Sequence, residues 1–573
     1  MLNARLQSTS TRFLLLIWAC FLARGFFYSS LFPLWEGYDE FSHFAYIQYL
    51  SNSQDLPIPQ QSEVSTEIQD SVQLVPLPWE LRGWPSPSLT HDAYWKLPPS
   101  ARQARESQFA ALSPQLAREP ASGSAPLFWE AQQPPLYYFL LSGPLRLMST
   151  IGLAGRVISM RYLSVAIASL VIPLGFLLAR SVLADDQLAL GVIALIAALP
   201  ELLIETSRVG NDSLSIPLYT LLVLLTVKLL DESGKARYAW ASGVALGCGL
   251  LTKEYFFTCL PVLTLAFAWM CWRAKEHRYQ ILFHGLLLGA IAAILSGWWI
   301  VRNYRYTGMW LWQPGEDPAR KVPTLAVLRR APEVDWHNVV HDVFTSHIWF
   351  GNWSFLHIRG WMYTVLWYGV MLVAVGLVVY ARRAWRGSAM RDYSAVSQPI
   401  HAAVLIVFYG FFCIGLAYHA VLTFILFHAS TSIGWYLYCT VVVEVLLVAI
   451  GLLTLFQKAG RQWVLPTITA LFALLELYAT HFLLIPYYSG LIAHSPDGAL
   501  ATFHVRMLKS VGFFSVVKRL VVNKPSSLNT PVFLLQWVLF VGATVGLVFI
   551  STYVTLRSRR ARQAPLVGSP SGA

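Results

Sequence analysis

Apolar runs of about 20 residues recur from one end of this chain to the other, each long enough to cross a hydrocarbon core roughly 30 Å thick. They lie at 13–32, 160–181, 187–206, 213–230, 238–252, 256–272, 281–300, 362–381, 401–427, 434–456, 464–486 and 532–554. Lipid offers no hydrogen bonds, so runs of this kind cross as helices. The expected fold is all-α: a polytopic transmembrane helical protein with about 12 spans. Composition agrees, because 56% of the 573 residues are hydrophobic and only 13% are charged, against about 25% charged in soluble domains. A water-soluble enzyme is excluded. The net charge of +12 sits in short loops between apolar runs, as orienting charges do, so no nucleic-acid partner is expected.

The first run follows Arg5 and Arg12 like a signal sequence, but no small-residue cleavage site closes it, so it reads as an uncleaved first helix. Six cysteines fall in apolar stretches without a CxxC spacing and read as buried thiols. The segment 135–150 is broken by Gly143, Pro144 and Arg146 and is short for a span. If it does not cross, Arg5/Arg12, Lys235/Arg237, Arg273/Lys275/Arg278, Arg382/Arg383/Arg386/Arg391, Lys458/Arg461 and Arg557/Arg559/Arg560/Arg562 share one side, the cytoplasmic one. The chain then divides into 1–32, an outward loop at 33–159, spans at 160–300, an aromatic-rich outward loop at 301–361, spans at 362–486, an outward loop at 487–531, and 532–573 with the last span. The first outward loop holds twelve acidic residues between Glu36 and Glu130 against five basic ones. Its Pro and Trp residues (Pro76, Pro78, Trp79, Trp84, Pro85, Pro87, Trp95, Pro98, Pro99) suit either an irregular spacer or a partly ordered interfacial cap. The tail after Arg562 reads as disordered.

Five clusters could carry chemistry, and each has a structural alternative. Asp39 and Glu40 are adjacent acids at the outer end of the first helix, followed by His43; they suit a functional pair or a helix N-cap. Glu130, Gln133, Pro134, Pro135, Tyr137 and Tyr138 form a second cluster that also reads as a helix start. Arg208 to Asp212 occupies a short outward loop, where Asp212 can cap the next helix. Lys253 ends a glycine-rich helix on the outer side, either as a phosphate ligand or as a snorkelling lysine paired with Glu254. Arg302 and Arg305 follow Trp298-Trp299, an interfacial belt or a further cation pair. The stretch from Thr345 to Trp353 is aromatic, as sugar-stacking surfaces are. All land on one face. Carboxylates for base work beside cations for a departing phosphate are what glycosyl transfer from a lipid phosphate requires.

These residues resemble the GT-C superfamily of polyprenyl-phosphate-sugar-dependent glycosyltransferases, with the bacterial aminoarabinose transferases and the protein O-mannosyltransferases as the nearest analogues. The likeness spans roughly 13–310 and rests on four segments: Tyr38-Asp39-Glu40, Gln133 to Tyr138, Arg208 to Asp212, and Gly243 to Lys253. Further on, His347 to Trp361 and Gly434 to Tyr438 are similar to an uncharacterised bacterial membrane family sharing the Asp-Glu-x-x-His opening. The resemblance implies a GT-C-like fold in a bacterial inner membrane with the site facing the periplasm or exterior, and an inverting hexosyl or pentosyl transferase. Its partners would be a lipid-linked sugar donor, a lipid, glycan or protein acceptor, and membrane lipids. It implies Asp39 as general base, Glu40 to place the acceptor or, in metal-using members, to bind a cation, and Lys253 with Arg302 or Arg305 on the donor phosphate. His43, Glu130, Gln133, Tyr137, Arg208 and Asp212 would contact substrate. Two departures qualify it: Glu254 follows Lys253, and His43 stands four residues after Asp39, a pair that can hold a divalent metal although two ligands do not make a site. No cofactor is assigned; a divalent cation is the one candidate, with no metal site assigned. A transporter or flippase of lipid-linked sugars is the rival, with Glu444 and Glu476 as its deep charges; a scaffold with a decayed site is the third reading.

Overall fold

A computed structural model describes residues 2–563 apart from 54, 85–88, 184, 233–234, 309, 311–321, 387–395 and 457. Pro85, Pro87, Arg391 and the tail beyond 563 lie outside the described residues. Helices make up the fold; the described residues hold only isolated β-bridges besides. Ten helices are long and apolar enough to cross a membrane, and they coincide with ten of the twelve expected runs. The other two depart for local reasons. The run 187–206 is a helix pair, Asp186–Ala198 and Pro200–Thr206, bent by 63°. Pro200 has no N–H to continue the first helix, and it forces Leu199 into an extended conformation (φ −68°, ψ 114°). The run 238–252 is a helix of only 15 residues, Ala236–Leu250, about 22 Å long at 1.5 Å per residue. It lies against the Arg278–Thr307 helix through Gly243 and Gly247. A Cβ at Gly243 would stand 2.8 Å from the Leu288 carbonyl oxygen, and one at Gly247 2.8 Å from the Leu295 Cβ. Small residues every four positions bring the two backbones together. The segment from 135 forms the 12-residue helix Leu136–Leu147, too short to cross, as expected.

The first helix, α1 (Leu2–Leu31), stops just before Pro33 and packs against Thr530–Gln563 and Asp186–Ala198. Inside this bundle Arg24 and Glu476 form an ion pair with neither side chain exposed. Thr544 Oγ1 and the Tyr28 hydroxyl also donate to Glu476, at 3.0 and 3.2 Å.

The first long loop, 33–159, is a folded cap with its own apolar core rather than an irregular spacer. Its first helix, α2 (Glu40–Ser53), is buried along most of its length. Trp35 is wholly buried and donates from its indole N–H to Ser71 Oγ at 3.0 Å. Glu67 accepts from Gln48 Nε2 at 2.9 Å and pairs with Arg156, which belongs to the Leu153–Ala168 helix. Glu36 holds His91 within the cap, and the neighbouring Asp92 accepts from the Tyr487 hydroxyl, which ties the cap to the helix bundle.

Candidate active site

The bend at Pro200 carries the chain back across the end of α1, and the following turn delivers Arg208 beneath α2. There the Arg208 guanidinium donates to Glu205, to Asp212 Oδ2 at 3.2 Å and to the Tyr38 carbonyl at 2.9 Å. Asp212, the first residue of the next helix, also accepts from Lys253 Nζ at 2.5 Å. Lys253 therefore pairs with Asp212 across the chain; the expected Glu254 partner is not the one that holds it. The Lys253 ammonium also stands over two aromatic rings, 4.8 Å from the Tyr255 centroid and 5.7 Å from that of Tyr436.

Asp39 precedes α2 with φ +55°, a left-handed conformation uncommon for a residue with a side chain. Its carbonyl receives the Ser42 and His43 N–H groups, so the backbone starts the helix. Its carboxylate does not cap that helix; Oδ1 accepts from the Trp129 indole at 2.7 Å. Burial raises the Asp39 carboxyl above its usual range, although Arg208, Trp129 and Lys253 oppose the rise. A carboxylate that holds its proton more firmly is a better base near neutral pH.

The second cluster closes over this acid. Glu130 N–H donates to Ser42 Oγ at 2.9 Å, and the Tyr138 hydroxyl lies 2.8 Å from His43 Nδ1. Burial and then the nearby Asp39 charge push Glu130 up to about 8. Burial, with the Arg208 and Lys253 charges, holds His43 well below its usual value and so neutral. Gln133 accepts from Asn211 Nδ2 at 3.1 Å, and the same amide donates to the Thr252 carbonyl at 3.1 Å. Tyr137 receives the Gly210 N–H at 3.0 Å. Four stretches that are remote in sequence, 39–43, 129–138, 208–213 and 252–255, thus form one connected cluster with acids and cations in mutual electrostatic reach.

Three expected residues stand elsewhere. Glu40 is wholly buried and held by Arg161, Nε to Oε1 at 2.7 Å and Nη2 to Oε2 at 2.5 Å, with the Val209 N–H on Oε1 at 3.1 Å. Its carboxylate fixes α2 to the bundle and has no surface for an acceptor. Arg302 donates to the Leu56 and Pro57 carbonyls at 3.2 and 3.0 Å and lies over Trp299 and Tyr306, fastening the cap instead of joining Lys253. Arg305, on the same helix, is exposed. The aromatic stretch after Thr345 is internal as well: Trp349 is fully buried, and the Phe350 N–H donates to Glu201 at 3.0 Å.

Several participants escaped sequence reasoning as site residues: Trp129, Tyr138, Asn211, Glu205, Tyr255 and Tyr436. Trp129, Tyr138 and Asn211 lie inside clusters already singled out. Tyr436 lies in the stretch Gly434 to Tyr438 that carried a family likeness, but only the fold brings it to Lys253. The acids deepest in the spans, which the transporter alternative drew on, are both paired: Glu476 with Arg24, and Glu444 with His347 Nε2 at 2.9 Å.

Residues 95–311 match the family described as dolichyl-phosphate-mannose-protein mannosyltransferase, a GT-C family, so the GT-C resemblance of the motifs is met by an independent match over that segment. No curated protein matches the chain. Among solved structures, ArnT from Cupriavidus metallidurans bound to undecaprenyl phosphate is 12% identical, with 97% of this chain and 78% of that chain covered at a TM-score of 0.43. The same protein in the apo state is 14% identical, covering 74% and 66% at a TM-score of 0.34. Similarity at that level decides nothing about the chemistry.

Proposed function

We propose that this protein is a membrane glycosyltransferase that moves a sugar from a polyprenyl-phosphate-linked donor to an acceptor hydroxyl on the extracytoplasmic face. Asp39 takes the proton from the acceptor hydroxyl as its oxygen attacks the anomeric carbon. The glycosyl–phosphate bond breaks on the opposite side, so configuration inverts. Lys253, with Arg208 behind it through Asp212, meets the charge that gathers on the departing phosphate. Arg302 and Arg305 no longer carry that role. Gln133, Asn211 and Tyr137 hold the loops that set these groups in place.

The observation that carries this reading is the gathering of Asp39, Asp212, Arg208 and Lys253 into one cluster of interacting charges. A buried base needs a buried cation nearby if a phosphate is to leave. The test uses purified protein in liposomes with a radiolabelled sugar on polyprenyl phosphate. Wild type is expected to give labelled acceptor, and Asp39→Asn to lose about 10²–10⁴-fold of that rate with an unchanged melting temperature. Wild-type-like turnover in Asp39→Asn removes Asp39 from the mechanism, and movement of label across the bilayer without transfer supports the flippase alternative.

A further inference from the structure

Asp39 and His43 alone would be two ligands and no site. The cap adds a third. One ligand atom each from Asp39, His43 and Glu130 lies within 4.8 Å of the other two, a spacing that a single ion can bridge. We propose that these three side chains bind a first-row divalent cation, Mn²⁺ or Zn²⁺, within this cluster.

Glu130 carries the argument furthest. It is only 3% exposed, and its Oε2 has no hydrogen-bond partner. A buried carboxylate oxygen left unmatched costs free energy unless something positive meets it. The other two ligands are held in place. Asp39 is fixed by the Trp129 N–H on Oδ1, and its left-handed backbone follows from the turn into α2. His43 meets the Tyr138 hydroxyl through Nδ1, the kind of outer contact that orients a ligating imidazole. Tyr138 is itself stacked on Tyr46 at 4.0 Å.

The donor set is two carboxylates and one imidazole. Carboxylate oxygens suit Mn²⁺ and an imidazole suits Zn²⁺, so both are named. Three protein ligands leave at least one coordination position open, as in sites that also bind substrate. What fills that position rests on the transferase reading: the oxygen of an acceptor hydroxyl, held beside Asp39. Ion binding itself does not depend on that reading.

The test uses full-length protein in nanodiscs, stripped with a chelator and titrated with Mn²⁺ alone. Free ion is followed by electron paramagnetic resonance, and Zn²⁺ serves as competitor. Wild type is expected to take up one saturable equivalent that Zn²⁺ displaces. Glu130→Gln and His43→Gln, each with an unchanged gel-filtration profile, are expected to bind at least about tenfold more weakly. No saturable uptake by wild type, or equal uptake by all three proteins, overturns the site. If the variants fail to fold, the wild-type melting temperature decides: it rises with Mn²⁺ when the folded state binds the ion, and a flat response overturns the site. Sugar transfer without Mn²⁺ uptake removes the site and leaves the transferase reading intact; Mn²⁺ uptake without transfer does the reverse.

Discussion

At the scale of single residues, the chemistry depends on which charges find one another. Asp39, Asp212 and Lys253 were legible because acids and amines at a membrane boundary are costly and so stand out. Their pairings were not. Lys253 meets Asp212, forty-one positions back, and not the adjacent Glu254, because the ends of the two helices that carry them converge. Glu40 looked equivalent to Asp39 from its position. One step around α2, however, turns its carboxylate onto Arg161 and away from the cluster. Arg302 was misjudged for the same reason, since the loop that covers it supplies its partners. If Lys253 grips the donor phosphate, Lys253→Met loses a charged hydrogen bond of about 1.5–3 kcal/mol. Donor affinity should then fall roughly ten- to a hundredfold, read from KM for the lipid-linked sugar while Asp39 is intact. An unchanged KM would place the phosphate elsewhere.

Among elements, the pattern of apolar runs gave ten crossings directly, since length and hydropathy decide a span. It overstated the run at 238–252, where length falls short, although the glycine spacing that packs this helix was in plain view. Gly247→Leu should drive a branched side chain into Leu295 and Ala292, an overpacking that costs about 1–3 kcal/mol. The expected readout is a lower melting temperature together with weaker donor binding, because the same helix ends at Lys253. The helix Trp336–Ile348 makes a second prediction. Burial disfavours charge on His347, but Glu444 outweighs it through its charge and hydrogen bond, so the His347 pKa is raised. A raised folded value means that the pairing stabilises fully below the ordinary histidine range near 6.5 and is lost as pH climbs through the folded value. The melting-temperature gap between wild type and His347→Gln should therefore be widest in mild acid and narrow on the alkaline side. A gap that widens with pH would contradict this.

Across the whole molecule, the bundle and the cap are fastened by buried charge. Arg24 and Glu476 join α1 to the Val464–Ala479 helix in surroundings with no water to replace a lost partner. Breaking such a pair typically costs about 3–5 kcal/mol, whereas replacing both partners with apolar groups is often neutral. Arg24→Met should accordingly lower the melting temperature sharply, and Arg24→Met with Glu476→Met should recover most of it. Glu476 stands out in the sequence, with Glu444, as a deep acid, but its partner does not, because the two are 452 positions apart. The cap was legible only as an acidic, Trp-rich segment; its fold rests on Trp35 meeting Ser71 and on Glu67 meeting Arg156, 89 positions on. The proposed function depends on the cap and bundle bringing Asp39 and Lys253 into one site. A cryo-EM map of the protein with polyprenyl phosphate tests this most directly. The phosphate is expected within hydrogen-bonding distance of Lys253 Nζ, with Asp39 facing the same cavity. A phosphate lodged instead in the cleft by Arg118 and Arg146, with this site closed to it, would contradict the account.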